Sequence, residues 1–107
     1  GIILCNPGNY KEAIKDYTNA VTHNPNYAAA YNNRASAYSA LKDQKSAISD
    51  YEKAIKINPS YSTAIANLGI ALESIGNLEL ACRNWERASQ LGHQQAGEWA
   101  ANQCSNL

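Results

Sequence analysis

Residues 43–59 read DQKSAISDYEKAIKINP, and the same pattern occurs 34 residues earlier and again 34 residues later. The earlier copy is NYKEAIKDYTNAVTHNP at residues 9–25, and the later copy is NLELACRNWERASQLGH at residues 77–93. All three copies carry Ala in the fifth and twelfth places and an aromatic residue in the ninth. A fixed period of this length is the signature of stacked structural repeats.

Each repeat is predicted to be a pair of helices. One helical face of residues 27–41 carries Tyr31, Arg34, Ala35 and Tyr38, at the spacing i, i+3, i+4, i+7. Asn-Pro ends the first two copies, at residues 24–25 and 58–59, since the residue before Pro is pushed out of the helical region, and His93 stands in the place of Pro in the third. Gly-Asn steps at residues 8–9 and 76–77 predict the tight turn inside a pair. The predicted helices cover 9–23, 27–41, 44–57, 61–75, 77–90 and 94–105, with a helix remnant at 1–6.

These residues resemble the tetratricopeptide repeat (TPR) family, whose pattern is W-x2-L-G-x2-Y…A-x3-F…P. Here it reads Tyr31-x2-Arg34-Ala35-x2-Tyr38…Ala47-x3-Tyr51…Pro59. The resemblance implies an all-α fold, a right-handed superhelical stack of antiparallel helix pairs with a C-terminal capping helix. We expect one TPR domain over residues 1–107, made of a truncated first repeat (1–26), two repeats (27–60 and 61–94) and the cap (95–107).

The amino-acid composition and the absence of known motifs argue against several classes of function. The 107 residues contain nine Lys or Arg and nine Asp or Glu, and this balance argues against nucleic-acid binding. No apolar run approaches the ~20 residues of a membrane span, and a soluble, cytoplasmic chain is the default expectation. No catalytic or metal-binding motif is present, so we expect neither an enzyme nor a cofactor nor a metal. The two histidines, His23 and His93, are predicted to be solvated residues at helix ends.

Arg34 occupies a place where the TPR family usually has an apolar residue. The next repeat has Leu68 in this place and Asn84 in the place of Asp50, so both charges disappear together. This comparison predicts a structural ion pair between Arg34 and either Asp50 or Asp16.

Cys82 and Cys104 are predicted to face each other across the last helical hairpin. Two interpretations remain open. The cysteines are either small buried thiols, as free Cys commonly is, or a disulfide that ties down the capping helix.

The resemblance also implies a ligand site, because TPR proteins usually hold a peptide on the concave surface formed by the first helix of each pair. Helical period assigns six residues to this peptide-binding surface: Asn32, Asn33, Ser36, Thr63, Asn67 and Ile70. Asn side chains both donate and accept, so they suit recognition of a peptide backbone. No Lys or Arg falls on this surface, which disfavours the clamp that related domains use for chaperone C-terminal carboxylates. A polar concave face that simply meets water is the alternative interpretation.

We therefore predict a protein-interaction module or scaffold with a protein or peptide partner. The alternative is a structural repeat domain that self-associates or spaces other domains. The truncated first repeat makes a homo-oligomer through the open N-terminal face, residues 1–23, a further expectation.

Overall fold

The computed structural model describes residues 7–104, which form six helices and no strands. The helices are α1 (Pro7–His23), α2 (Ala28–Ala40), α3 (Gln44–Ile57), α4 (Ser62–Ser74), α5 (Leu78–Gln90) and α6 (Gln94–Gln103). Each helix packs against the next along the chain, and α2 also contacts α4. The predicted remnant at 1–6 lies outside the described residues. None of the helices described combines the length and apolar character needed to cross a membrane.

The turns inside the repeats follow the prediction in one place and depart from it in another. Gly76 has φ +88° and lies between α4 and α5, where a left-handed residue closes the end of α4. The predicted turn at Gly8 is wrong, because α1 begins at Pro7 and Gly8 lies within its first turn. Proline suits the first position of a helix, where its missing N–H would have no partner in any case.

Small residues let the helices approach closely in the core. Ala35, Ala47, Ala54 and their counterparts one repeat later are completely or almost completely buried, and Tyr51 and Trp85 fill the space between helices. The tightest contact is that of Gly69 with the indole of Trp85. A Cβ atom built on Gly69 would lie 2.5 Å from Trp85 Nε1. The same Nε1–H donates to the carbonyl oxygen of Ala66 at 3.2 Å, which fixes the indole against α4.

Gly69→Ala is expected to lower the free energy of unfolding by about 1–3 kcal/mol, because the added methyl group overpacks the indole. The preceding repeat has Ala35 and Tyr51 in the corresponding places. The double variant Gly69→Ala/Trp85→Tyr should therefore lose less stability than the sum of the two single variants. Urea denaturation of the wild type, the two single variants and the double variant measures this coupling. Strictly additive losses would show that the contact between Gly69 and Trp85 does not restrict the size of either side chain.

Helix α6 is held against α5 by three contacts. Ala96 is fully buried, and the rings of Trp99 and Trp85 lie 5.8 Å apart. A disulfide joins Cys82 to Cys104, whose Cα atoms are 5.9 Å apart. His93 directly precedes the helix, and its Nδ1 accepts the backbone N–H of Ala96 at 3.0 Å. His93 thus caps the N-terminus of α6 and is only partly exposed, in contrast to the solvated residue that was predicted.

Reduction of the disulfide is expected to lower the free energy of unfolding. The two cysteines are 22 residues apart, and closing a loop of this length removes chain entropy worth about 3 kcal/mol from the unfolded state. Urea denaturation with and without dithiothreitol measures the difference. Alkylation of the unfolded, unreduced protein should then label Cys5 alone, whereas three labelled cysteines would mean that the bond is absent.

Candidate peptide-binding site

The residues predicted to bind a peptide lie on α2 and α4, two helices in direct contact. Asn33 and Ser36 are one turn apart on α2, and Thr63, Asn67 and Ile70 follow the same helical spacing on α4. We call these five residues the asparagine face. Asn33, Ser36 and Thr63 are exposed, Asn67 is half-buried, and Ile70 is 37% exposed although it is apolar.

Asn32 has a different position from the other predicted residues. It is buried, with 6% of its surface exposed. Its Nδ2 donates to Asn33 Oδ1 and its Oδ1 accepts from Asn67 Nδ2, both at 3.4 Å. Since both ends of its amide are used, Asn32 links exposed Asn33 to half-buried Asn67 across the contact between α2 and α4. We therefore assign Asn32 to the support of the site, which corrects its prediction as a ligand contact.

This network leaves one polar atom of Asn33 and one of Asn67 without a hydrogen bond to another described residue, and the two atoms are complementary. Within residues 9–104, Asn33 Nδ2 and Asn67 Oδ1 make no hydrogen bond to another protein group. One is a donor and the other an acceptor. A peptide unit offers a carbonyl oxygen and an N–H, so the pair matches the backbone of an extended chain.

Ser36 is tied to the core of its own repeat. Its Oγ lies 2.9 Å from the hydroxyl of Tyr51. Burial raises the pKa of Tyr51, and the bond with Ser36 opposes that shift. The contact fixes the Ser36 rotamer at the edge of the asparagine face.

A cleft of about 320 Å³ adjoins Asn33 and Ser36 between α1 and α2. Its α1 wall is formed by Tyr10, Ala13 and Tyr17. Ala13 and Tyr17 lie 34 residues before Ala47 and Tyr51, which are buried in the next repeat, yet both are only half-buried. Within the described residues, these positions of α1 are therefore more exposed than their counterparts in α3.

Arg34 forms a two-pronged ion pair with Asp50. Its Nε donates to Oδ2 at 2.7 Å and its Nη2 donates to Oδ1 at 2.8 Å. Its Nη1 also donates to Thr18 Oγ1 at 3.2 Å, so one guanidinium connects α1, α2 and α3. The side chains of Arg34 and Asp50 are only 12% and 4% exposed. Hydrogen bonding to Asp50 raises the pKa of Arg34 against the opposing effect of burial. Asp16, the other predicted partner, is exposed on α1.

The ion pair between Arg34 and Asp50 also determines whether α2, α4 and α6 offer a free positive charge to a ligand. Arg34 is the only Lys or Arg in α2, α4 and α6. Because Asp50 and Thr18 hold it, these three helices present no unpaired cation. The described residues also contain no group of three His, Cys, Asp or Glu side chains that could hold a metal ion.

Arg34→Ala is expected to lower the free energy of unfolding by about 3 kcal/mol, because it leaves the Asp50 carboxylate buried without its partner. The next repeat supplies the matched control, since it has Leu68 and Asn84 in these places. Arg34→Leu/Asp50→Asn should therefore recover most of the loss, because it removes both charges. Thermal or urea denaturation measures both variants, and an unchanged midpoint for Arg34→Ala would contradict a structural role for the pair.

The helix pairs, their close packing and their 34-residue period define a helical-repeat protein. Sequence models of the tetratricopeptide repeat match residues 28–61, 1–42 and 50–83. The chain belongs to the tetratricopeptide repeat family, as predicted. A comparison with curated protein sequences found no match.

Solved structures of two TPR domains and of a further protein are similar to this chain. The first TPR of Spaghetti (RPAP3), bound to the HSP90 peptide SRMEEVD, is 34% identical with a TM-score of 0.83, over 88% of this chain and 76% of that one. The second TPR domain of human RPAP3, in complex with the HSP70 peptide SGPTIEEVD, is 32% identical with a TM-score of 0.81, over 88% and 80%. MamA is 28% identical with a TM-score of 0.76, over 83% and 52%. These similarities confirm the all-α TPR-type solenoid.

Proposed function

We propose that this chain is a protein-interaction module that binds an extended peptide segment of a partner protein at the asparagine face. The observation that carries the proposal is the free donor on Asn33 beside the free acceptor on Asn67, held in place by buried Asn32. Similar TPR domains bind peptides, and this supports the same general role here. Ile70 offers an apolar contact for a side chain of the ligand.

The ligand we propose is uncharged or weakly charged. The peptides bound by the two RPAP3 domains end in the acidic sequence EEVD. A carboxylate needs cationic donors for strong binding, and the single cation of α2, α4 and α6 is already paired with Asp50. Recognition through the peptide backbone and one apolar side chain fits the groups that are available.

A library of random peptides displayed on phage, followed by fluorescence anisotropy of the selected sequences, tests this site. Asn33→Ala/Asn67→Ala is expected to weaken binding about 10-fold or more, since it removes two hydrogen bonds worth about 0.5–1.5 kcal/mol each. Asn19→Ala/Asn102→Ala, which removes two exposed asparagines from α1 and α6, is the matched control and should bind like the wild type.

Two results would contradict the proposal. One is equal binding by the two double variants at equal thermal stability. The other is tighter binding of SRMEEVD than of any selected uncharged peptide, because this would require a cation that the asparagine face lacks. Self-association through the N-terminal face stays a prediction, which sedimentation equilibrium over a range of concentrations checks.

A further inference from the structure

A second cavity lies on α2 and α3, and the asparagine face uses none of its residues. Its volume is about 360 Å³. We call it the lysine groove, defined by its lining residues Arg34, Tyr38, Lys45, Ser46, Ser49, Asp50 and Lys53.

The lysine groove is positively charged although the chain as a whole is neutral. It contains three cations and one carboxylate. That carboxylate, Asp50, already accepts two hydrogen bonds from Arg34. Lys45 and Lys53 are exposed, and neither forms an ion pair within residues 9–104. The nearby carboxylate of Asp43 caps α3 and accepts from both the N–H and the hydroxyl of Ser46. Two ammonium groups of the groove therefore have no carboxylate partner within residues 9–104.

Three of the four free donors of the groove lie on one strip of α3, and the fourth, the Tyr38 hydroxyl, is on α2. Lys45, Ser49 and Lys53 are four residues apart, which places them on one helix face with a rise of about 6 Å between neighbours. Both flexible lysine side chains can reach an anion bound at Ser49. The hydroxyls of Ser49 and Tyr38 make no hydrogen bond in the part of the chain that the structure describes. The Lys53 ammonium lies 5.8 Å from the ring of Tyr31, which keeps it close to α2.

The next repeat shows that this arrangement is not a general property of the fold. Glu79, Arg83 and Arg87 take the places of Lys45, Ser49 and Lys53 there. Arg83 pairs with Glu79 at 3.1 Å, and Arg87 donates to the carbonyl oxygen of Pro59 at 3.0 Å. Both cations at the corresponding places on α5 are thus already used, and Leu80 takes the place of Ser46.

We infer that the lysine groove binds a dianionic phosphoryl group. A phosphate monoester carries close to two negative charges near neutral pH and three strong acceptor oxygens. The groove offers two unpaired ammonium groups and two free hydroxyls, which match that charge and those acceptors. A single carboxylate carries one negative charge and would neutralise only one of the two ammonium groups. The group comes either from a phosphorylated side chain of a partner or from free phosphate.

Titration of the ¹⁵N-labelled protein, followed by amide chemical shifts at constant ionic strength, tests the site. The probes are a short phosphoserine peptide, its unphosphorylated form and inorganic phosphate. The phosphoserine peptide is expected to give saturable shifts concentrated at residues 45–53, and the unphosphorylated peptide should give none. Lys45→Gln/Lys53→Gln should weaken binding at least 10-fold, and Ser49→Ala, which keeps the charge, at least 3-fold.

Lys11→Gln/Lys15→Gln removes the same charge from α1, outside the groove, and is expected to bind like the wild type. Equal losses in the two double variants, or shifts that spread over the surface without saturation, would overturn the proposal. Equally tight binding of inorganic phosphate and phosphopeptide would support the site and identify free phosphate as its source. Tighter binding of the phosphopeptide would identify a phosphorylated partner segment.

Discussion

The close approach of paired helices is the constraint on which the rest of this structure depends. At Gly69 the indole of Trp85 lies so near the α4 backbone that even a methyl group has no room. Residues such as Ala47 and Ala54 allow a similar approach in the preceding repeat, where they are fully buried. Between neighbouring pairs, the first helices α2 and α4 also come into contact. The asparagine face exists only because α2 and α4 meet in this way.

Most of the fold could be predicted from the sequence, because the 34-residue period fixes both the number of helices and their order. The bounds of α3 agree with the prediction, and the bounds of α2 and α4 differ by one residue at each end. The wrong predictions concern residues that can take either of two structural roles. Gly8 was expected in a turn but continues α1 from Pro7. His93 was expected at a solvated helix end, whereas its ring nitrogen caps α6, and side-chain capping cannot be read from spacing.

The candidate site was less predictable than the fold. Helical period places Asn32 and Asn33 on neighbouring faces, but it cannot show which of them turns into the contact with α4 and which remains exposed. The sequence allowed Arg34 two partners, and only the three-dimensional packing brings Asp50 to it. The lysine groove was missed because its residues look like separate solvated side chains. The sequence pattern that could have indicated it is Lys45, Ser49 and Lys53 at intervals of four residues. Arg34, in a place where the family usually has an apolar residue, lies in the same groove.

The disulfide between Cys82 and Cys104 ties α6 to α5 by a covalent bond. In a repeat array each unit is stabilised mainly by its immediate neighbours, so structure is lost progressively from a weak end. Within residues 7–104, α1 packs mainly against α2, whereas Cys104, directly after α6, is covalently joined to Cys82 of α5. The disulfide therefore keeps α6 beside Trp85 even when the noncovalent packing around the indole opens. The cleft beside Asn33 has no such covalent tie among the described residues, because neither α1 nor α2 contains a cysteine.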